Sequence, residues 1–368
     1  MKIGNTLFIP QNIAPANAKA LAIFDAEGNK KGTISLGNLK QKDIGSKLYS
    51  SLLISDIHVF ANSSYKADST ANDDYATALQ FAQFNADFTC ICGDLTCYGH
   101  TPDFEKYKSI TEVNSGGKPV YAIAGNHECW GRKVTPPYNI DLATTLPNYT
   151  GFPLYYTITH NENPTILEDD VFIFCSIAQI DTPDYSVAFS KDTLQWLYEQ
   201  LEKYRNKRCF LFHHCFIQGS QYCGDAIEKY TAGDLMHNYR SVFVSLLSHY
   251  RNVIYFHGHS HESLNSQLYT ESLTSPLPAN YDYALGCHSV HIPSLAIPYD
   301  ISSGERVLCS TGSEGYLMDV YEKHIILKGI DFVTGNFLPI ANYCLNTDII
   351  KIEANTFKDS TGTIVTAN

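Results

Sequence analysis

The chain has no apolar run near the roughly 18 residues that a membrane-spanning helix needs. Its first residues, MKIGNTLFIPQN, carry one lysine and a three-residue apolar stretch ended by Pro10. That is too short for the apolar segment of a secretory leader, so a cytoplasmic location is expected. Eleven cysteines are present, but no Cys-x-x-Cys pair and no short spaced framework occur among them. A zinc ribbon, a thioredoxin-like site and a disulfide scaffold are therefore all disfavoured. Charge is scarce at 17% of residues, and 26 Lys and Arg against 38 Asp and Glu leave a formal net charge of −12. No basic cluster accompanies the motifs below, so nucleic acid is a disfavoured partner.

What is present is apolar: 44% of 368 residues are hydrophobic. That content supports a large core and excludes disorder or a coiled coil. At roughly 150 residues per domain, two domains or one layered domain with insertions would fit.

Residues 1–45 form one unit of the pattern. The apolar run Ala18–Phe24 and the run Lys31–Leu36 flank the turn cluster Asp25-Ala26-Glu27-Gly28-Asn29, which predicts a β-hairpin. A small β appendage over 1–45 is expected, followed by a main domain over 46–368. In the main domain, short continuous apolar runs at Leu48–Ile54, Phe88–Cys92, Val120–Ala124, Val171–Ile177, Cys209–Phe212 and Val253–Phe256 read as strands buried on both faces. Between them, Leu194, Leu197, Leu201 and Tyr204 share one face of a helix expected over Lys191–Tyr204, with Ser190 as its N-cap. Strands alternating with helices give an α/β fold. The Pro-, Ser- and Asn-bearing stretch 262–305 reads as a loop insertion. Closing strands are expected at Arg306–Ser310, Gly315–Tyr321 and His324–Phe332.

The polar residues that stand out sit at the carboxyl ends of the apolar runs. They form five clusters: Asp56-Ile57-His58, Gly93-Asp94, Gly125-Asn126-His127-Glu128, His213-His214 and Gly258-His259-Ser260-His261. Ligand sites of open α/β sheets lie beyond the carboxyl ends of their strands, so the five clusters should converge. If the chain stays extended, Asp56 and His58 point the same way, as do His259 and His261. The glycines would let the chain turn as it leaves each strand. Asp56, His58, Asp94, Asn126, one of His213 and His214, His259 and His261 make seven nitrogen and oxygen donors. That number suits two ions sharing a carboxylate better than one ion with an open position. His100, His257, His288 and His291 carry no such pattern, and the 25 Tyr and 19 Phe are read mainly as core filling.

With its SDIH, GDLT, GNHE, FHH and GHSH blocks in that order, the chain resembles the calcineurin-like metallophosphoesterase superfamily, over about residues 48 to 340. The resemblance implies a four-layer α/β/β/α sandwich of two mixed sheets flanked by helices. It also implies a dinuclear centre of divalent or mixed-valence ions, with Fe, Mn, Zn and Co all compatible. Carried over by motif, Asp56, His58 and His261 would hold one ion, Asn126, His213 and His259 the other, and Asp94 both. Where many relatives have a proline this chain has Cys215; aligning the two makes His213 the ligand and His214 its neighbour. His127 would be the catalytic histidine, in protonated form, and Glu128 its support or that of a nearby group. The implied activity is hydrolysis of phosphoesters, with a small-molecule phosphodiester or phosphomonoester as substrate. A nuclease and a non-catalytic metal-holding scaffold are the alternatives. The appendage would serve as a docking element if the enzyme joins a larger assembly.

Overall fold

The computed structural model describes residues 46–61, 70–130, 141–177, 191–216, 240–250, 252–264, 287–300, 307–309, 312–322 and 324–346, together with short strands elsewhere. Twelve strands make two six-stranded sheets. In the first half of the chain, β1 (Lys47–Ile54), β2 (Phe88–Cys92), β3 (Val120–Ile123), β4 (Tyr155–Ile158) and β5 (Asp170–Cys175) appear. They are followed by β6 (Arg208–Phe212), β7 (Val253–His257), β8 (Tyr281–Asp282), β9 (Cys287–His291), β10 (Glu314–Tyr321), β11 (His324–Asp331) and β12 (Asn336–Asn346). The helices are α1 (Ala71–Asn85), α2 (Thr101–Asn114), α3 (Asn126–Trp130), α4 (Leu142–Thr150), α5 (Lys191–Lys203) and α6 (Arg240–His249).

The first sheet runs β12-β11-β10-β1-β2-β3 and the second β8-β9-β7-β6-β5-β4. Each is mixed. β1, β2 and β3 are parallel to one another, as are β5, β6, β7 and β9, and antiparallel strands complete both sheets. Parallel strands joined by crossover helices are covered on both faces, which is why they carry no apolar-polar alternation. Alternate residues nevertheless go to different cores. Leu53, Phe88, Cys90, Phe172, Phe174, Phe210, Phe212, Ile254 and Phe256 join one cluster with members from both sheets and none from α1, α2, α5 or α6. Leu52, Ile54, Ile91, Ile173, Leu211 and Tyr255 join the other, which contains Tyr75 and Leu79 of α1, Tyr107 of α2, Leu197 of α5 and Leu246 of α6. One face of each sheet thus meets the other sheet, and the opposite face meets helices.

Part of the aromatic surplus fills the space between the sheets. Tyr156, Phe174, Phe212 and Phe256 form a row of near-parallel rings with centroids 4.6, 5.0 and 4.8 Å apart. At the end of the strands opposite the motif clusters, Arg208 donates from Nε and Nη2 to the Asp170 carboxylate, both at 2.7 Å. The hydroxyl of Tyr49 donates to the same carboxylate at 2.6 Å and so ties β1 to the other sheet.

The expected hairpin near the N-terminus is present as paired strands Ala20–Phe24 and Lys30–Ser35. The expected helix ends one residue earlier, at Lys203; Ser190, its expected cap, lies outside the described residues. The stretch 262–305 is more than an insertion. It supplies β9, whose Ile254↔His288 to His257↔His291 register makes it an integral parallel strand. Its sequence, CHSVH, has one aliphatic side chain and gave no apolar run to read. Of the closing strand expected at Arg306–Ser310, Val307–Leu308 pairs with Tyr299–Asp300 outside both sheets, and Arg306 and Ser310 lie outside the described residues.

Candidate metal centre

Asp56 and His58 follow β1, Asp94 follows β2, and Asn126 opens α3 after β3; His214 follows β6, and His259 and His261 follow β7. These carboxyl ends lie together. One ligand atom from each of Asp56, His58, Asp94 and His261 falls within 4.8 Å of all the others, and the same holds for Asp94, His214 and His259. Asp94 belongs to both groups. Asn126 joins the second through its Oδ1, 3.1 Å from His214 Nε2.

The side chains converge for a different reason than strand alternation. β1 ends at Ile54 and β7 at His257, before the residues in question. Asp56, His58, Asp94, His259 and His261 all have positive φ, between 45° and 68°, and they are the non-glycine residues so placed among those described. Left-handed backbone costs roughly 1–2 kcal/mol per residue. Five such residues set against a typical stability of about 5–15 kcal/mol are a large local strain. Asp and His tolerate this region better than β-branched residues do. The two flanking glycines act through closeness more than through a turn. A Cβ on Gly125 would meet Asp94 Oδ1 at 2.2 Å, and one on Gly258 would meet Ser55 Oγ at 2.0 Å and Asp56 Oδ2 at 2.6 Å.

The donor set fits divalent cations. Asp94 Oδ2 and His259 Nδ1 are buried without a hydrogen bond, and His58 Nε2 faces His261 Nε2 at 3.2 Å. His261 Nε2 is also 3.0 Å from Asp56 Oδ1, so two imidazole nitrogens and carboxylate oxygens crowd one point, an arrangement of lone pairs that suits a cation. Carbonyl oxygens fix the tautomers. His261 donates from Nδ1 to Ile297 O at 3.0 Å and His214 from Nδ1 to Cys92 O at 2.6 Å, which turns both Nε2 atoms to the centre. Burial acts to raise the Asp56 and Asp94 pKa values, but His261 and His214 beside Asp56, and His214 and His127 beside Asp94, hold both below the ordinary range. Burial pushes His58 down, and His259 to about 3, keeping these rings neutral as ligands require. His214 is the exception. Burial opposes its proton, but Asp94 and Asp56 prevail and push it up to about 10.

His213 is the expected ligand and His214 its neighbour; the structure places His214 in the group with Asp94 and His259, and His213 in neither group. His214 Nε2 lies 3.3 Å from Asp94 Oδ2 and 3.7 Å from Asp56 Oδ1. His213 donates from Nδ1 to Cys175 O at 2.9 Å, and its ring lies 5.9 Å from that of Phe243 on α6. The reason is the alternation along β6: Phe210 and Phe212 face the other sheet, so His214 follows them and His213 turns to the helical side.

His127 reaches the centre from α3. Its backbone N–H donates to Asp94 Oδ1 at 2.9 Å, and its Nε2 stands 3.8 Å from Asp94 Oδ2. Its Nδ1 donates to Cys97 O at 2.6 Å. Burial lowers its pKa, with Asp94 and the Cys97 carbonyl acting the other way. Glu128 does not face that ring. It accepts from Thr96 N and Thr96 Oγ1, both at 2.8 Å, and from Gly125 N at 2.7 Å, clamping the loop after β2 to the loop after β3. Sequence reasoning passed over Glu262, which is buried with neither carboxylate oxygen hydrogen-bonded and is pushed up to about 8 by burial. Adjacency to His261 was its one visible signal.

A family model described as calcineurin-like phosphoesterase matches residues 50–263, more than half of the chain. No curated protein matches. Among solved structures, a dimetal phosphatase from Danio rerio is similar at 13% identity and a TM-score of 0.53, covering 82% of this chain and 100% of its own. Vacuolar Protein Sorting 29 from Cryptosporidium parvum aligns at 12% identity and a TM-score of 0.36, covering 82% and 100%. The likeness to the first is one of fold.

Proposed function

This chain belongs to the calcineurin-like phosphoesterase family, and we propose that it hydrolyses phosphoester bonds of small molecules at a two-ion centre. The observation that carries the reading is the sharing of Asp94 by two adjoining ligand groups at the carboxyl ends of both sheets. Asp56, His58, Asp94 and His261 would hold one ion, and Asp94, Asn126, His214 and His259 the other. Divalent ions held there supply Lewis acidity, lowering the pKa of a water nucleophile and neutralising charge on the phosphoryl oxygens. The chain supplies the rest. Asp94 keeps its negative charge because the surrounding imidazoles outweigh its burial. His127, anchored through Nδ1 on Cys97 O, presents Nε2 to the centre as the atom that passes a proton to the leaving oxygen. Glu128 holds the loops that carry Asp94 and Asn126 against each other.

The net charge of −12 favours a small phosphodiester or phosphomonoester over a nucleic acid. No helix among the described residues is long and apolar enough to cross a membrane, and a cytoplasmic enzyme is the location we propose. The test uses chelator-treated protein reloaded in turn with Mn, Zn, Co and Fe(II), assayed on bis-p-nitrophenyl phosphate, p-nitrophenyl phosphate and single-stranded DNA. Ion-dependent hydrolysis of one or both nitrophenyl esters, with DNA intact, is expected. Hydrolysis of DNA alone would make the chain a nuclease, and no hydrolysis with ions bound would make it a metal-holding scaffold.

A further inference from the structure

His259 and His261 fall in different ligand groups yet are separated by one residue. Both have left-handed backbone, with φ of 68° and 58°. The residue between them, Ser260, is the point through which both can be fixed at once. Its N–H donates to Gly258 O at 2.8 Å, closing the turn. Its side chain meets His291 Nε2 at 2.7 Å. His291 ends β9, opposite His257 of β7 in the register of the sheet, and is fully buried. It lies in neither ligand group.

The chain that follows His291 reinforces the same region. Ile292 N donates to His257 O at 2.7 Å, Leu295 N to Ser55 O at 2.9 Å and Tyr299 N to His261 O at 2.7 Å. Ser294 Oγ donates to Asp56 O at 3.1 Å. Residues 291–299 thus bear on the backbones of Ser55, Asp56, His257 and His261 and on the side chain of Ser260. Among the described contacts of this segment, the one at His291 meets Ser260, the residue between the two histidines.

We infer that His291 is a positioning residue for the two-ion centre, acting through Ser260 to hold His259 and His261 in their strained conformations. The inference rests on the two-ion reading above. The strain explains why a dedicated brace is needed. A left-handed pair held only by its own backbone would relax toward the ordinary regions and swing both imidazoles off their positions. Groups behind metal ligands that fix ligand orientation typically change metal affinity or activity by about 10- to 100-fold when removed.

The experiment titrates metal-stripped protein with Mn²⁺ alone and records the thermal midpoint of the metal-free form in parallel. Ser260→Ala and His291→Leu should each weaken Mn²⁺ binding by about 10- to 100-fold, and the double variant should be no weaker than the worse single one. His291→Gln, whose amide can still meet Ser260, should recover most of the affinity. The metal-free midpoint of His291→Gln should match wild type, and that of Ser260→Ala should fall only by what one buried hydrogen bond is worth, whereas a merely structural role would lower the midpoint and leave Mn²⁺ affinity unchanged. Ser260→Ala keeps the test decisive if His291→Leu fails to fold. Wild-type uptake of two Mn²⁺ with unchanged affinity in Ser260→Ala overturns the inference alone. A wild type that binds no Mn²⁺ overturns the two-ion reading and the inference with it.

Discussion

Adjacent histidines at 213 and 214 take opposite roles because one residue of offset on a strand reverses the face. The geometry gives His214 to the centre and His213 to the Cys175 carbonyl and α6. His214→Ala should therefore cost close to one of two bound ions. His213→Ala should keep both and lower the thermal midpoint through a lost buried hydrogen bond and a cavity. Elemental analysis of the two variants decides, and ion loss confined to His213→Ala would contradict the assignment. The motif alignment chose His213, since β6 is apolar on both faces and its alternation is invisible until the neighbouring sheet is known. His127 permits a second expectation. It makes contact with Asp94 but is in neither ligand group, so His127→Ala should retain its ions. Its kcat/KM should fall by about 10²–10⁴-fold on an alkyl phosphoester, whose leaving group needs a proton, and much less on a p-nitrophenyl ester. Equal losses on the two esters would assign His127 to positioning instead.

The strand-to-loop junctions carry the next scale. Gly258 sits against Ser55 and Asp56 too closely for any Cβ. Gly258→Ala should push Asp56 away and weaken ion binding, whereas Gly151→Ala, with nothing within 4 Å of the added carbon, should cost only the roughly 1 kcal/mol of a left-handed alanine. Calorimetric titration of both with Mn²⁺, beside their thermal midpoints, tests the contrast. Equal ion affinity in the two would contradict it. Much at this scale was legible. Six core strands announced themselves as apolar runs, and five clusters at their ends marked the centre. What stayed hidden follows from physics that sequence spacing does not carry. β9 has too few aliphatic residues to register, although it braces the centre. The paired motifs converge through left-handed backbone, and no count of residues between Asp56 and His58 distinguishes that from an extended strand.

Across the whole molecule, the two ends of the strands do different work. The ion pair of Arg208 with Asp170, shared with Tyr49 across the sheets, lies at the end opposite the ligands. Asp170→Ala leaves Arg208 buried and unpaired, so unfolding in urea should show a loss of about 3–5 kcal/mol. Ion content of the folded variant should stay at the wild-type level. A loss under 1 kcal/mol would show that the triad is dispensable. The centre at the other end depends on one carboxylate, Asp94, common to both ligand groups. Its removal should therefore affect two ions at once, which no other single ligand does. The most direct test counts tightly bound divalent ions per chain in wild type and in folded Asp94→Ala. Two ions in the wild type, falling below one in the variant, is the predicted result. A single ion in the wild type, or two retained by Asp94→Ala, would contradict the shared two-ion centre.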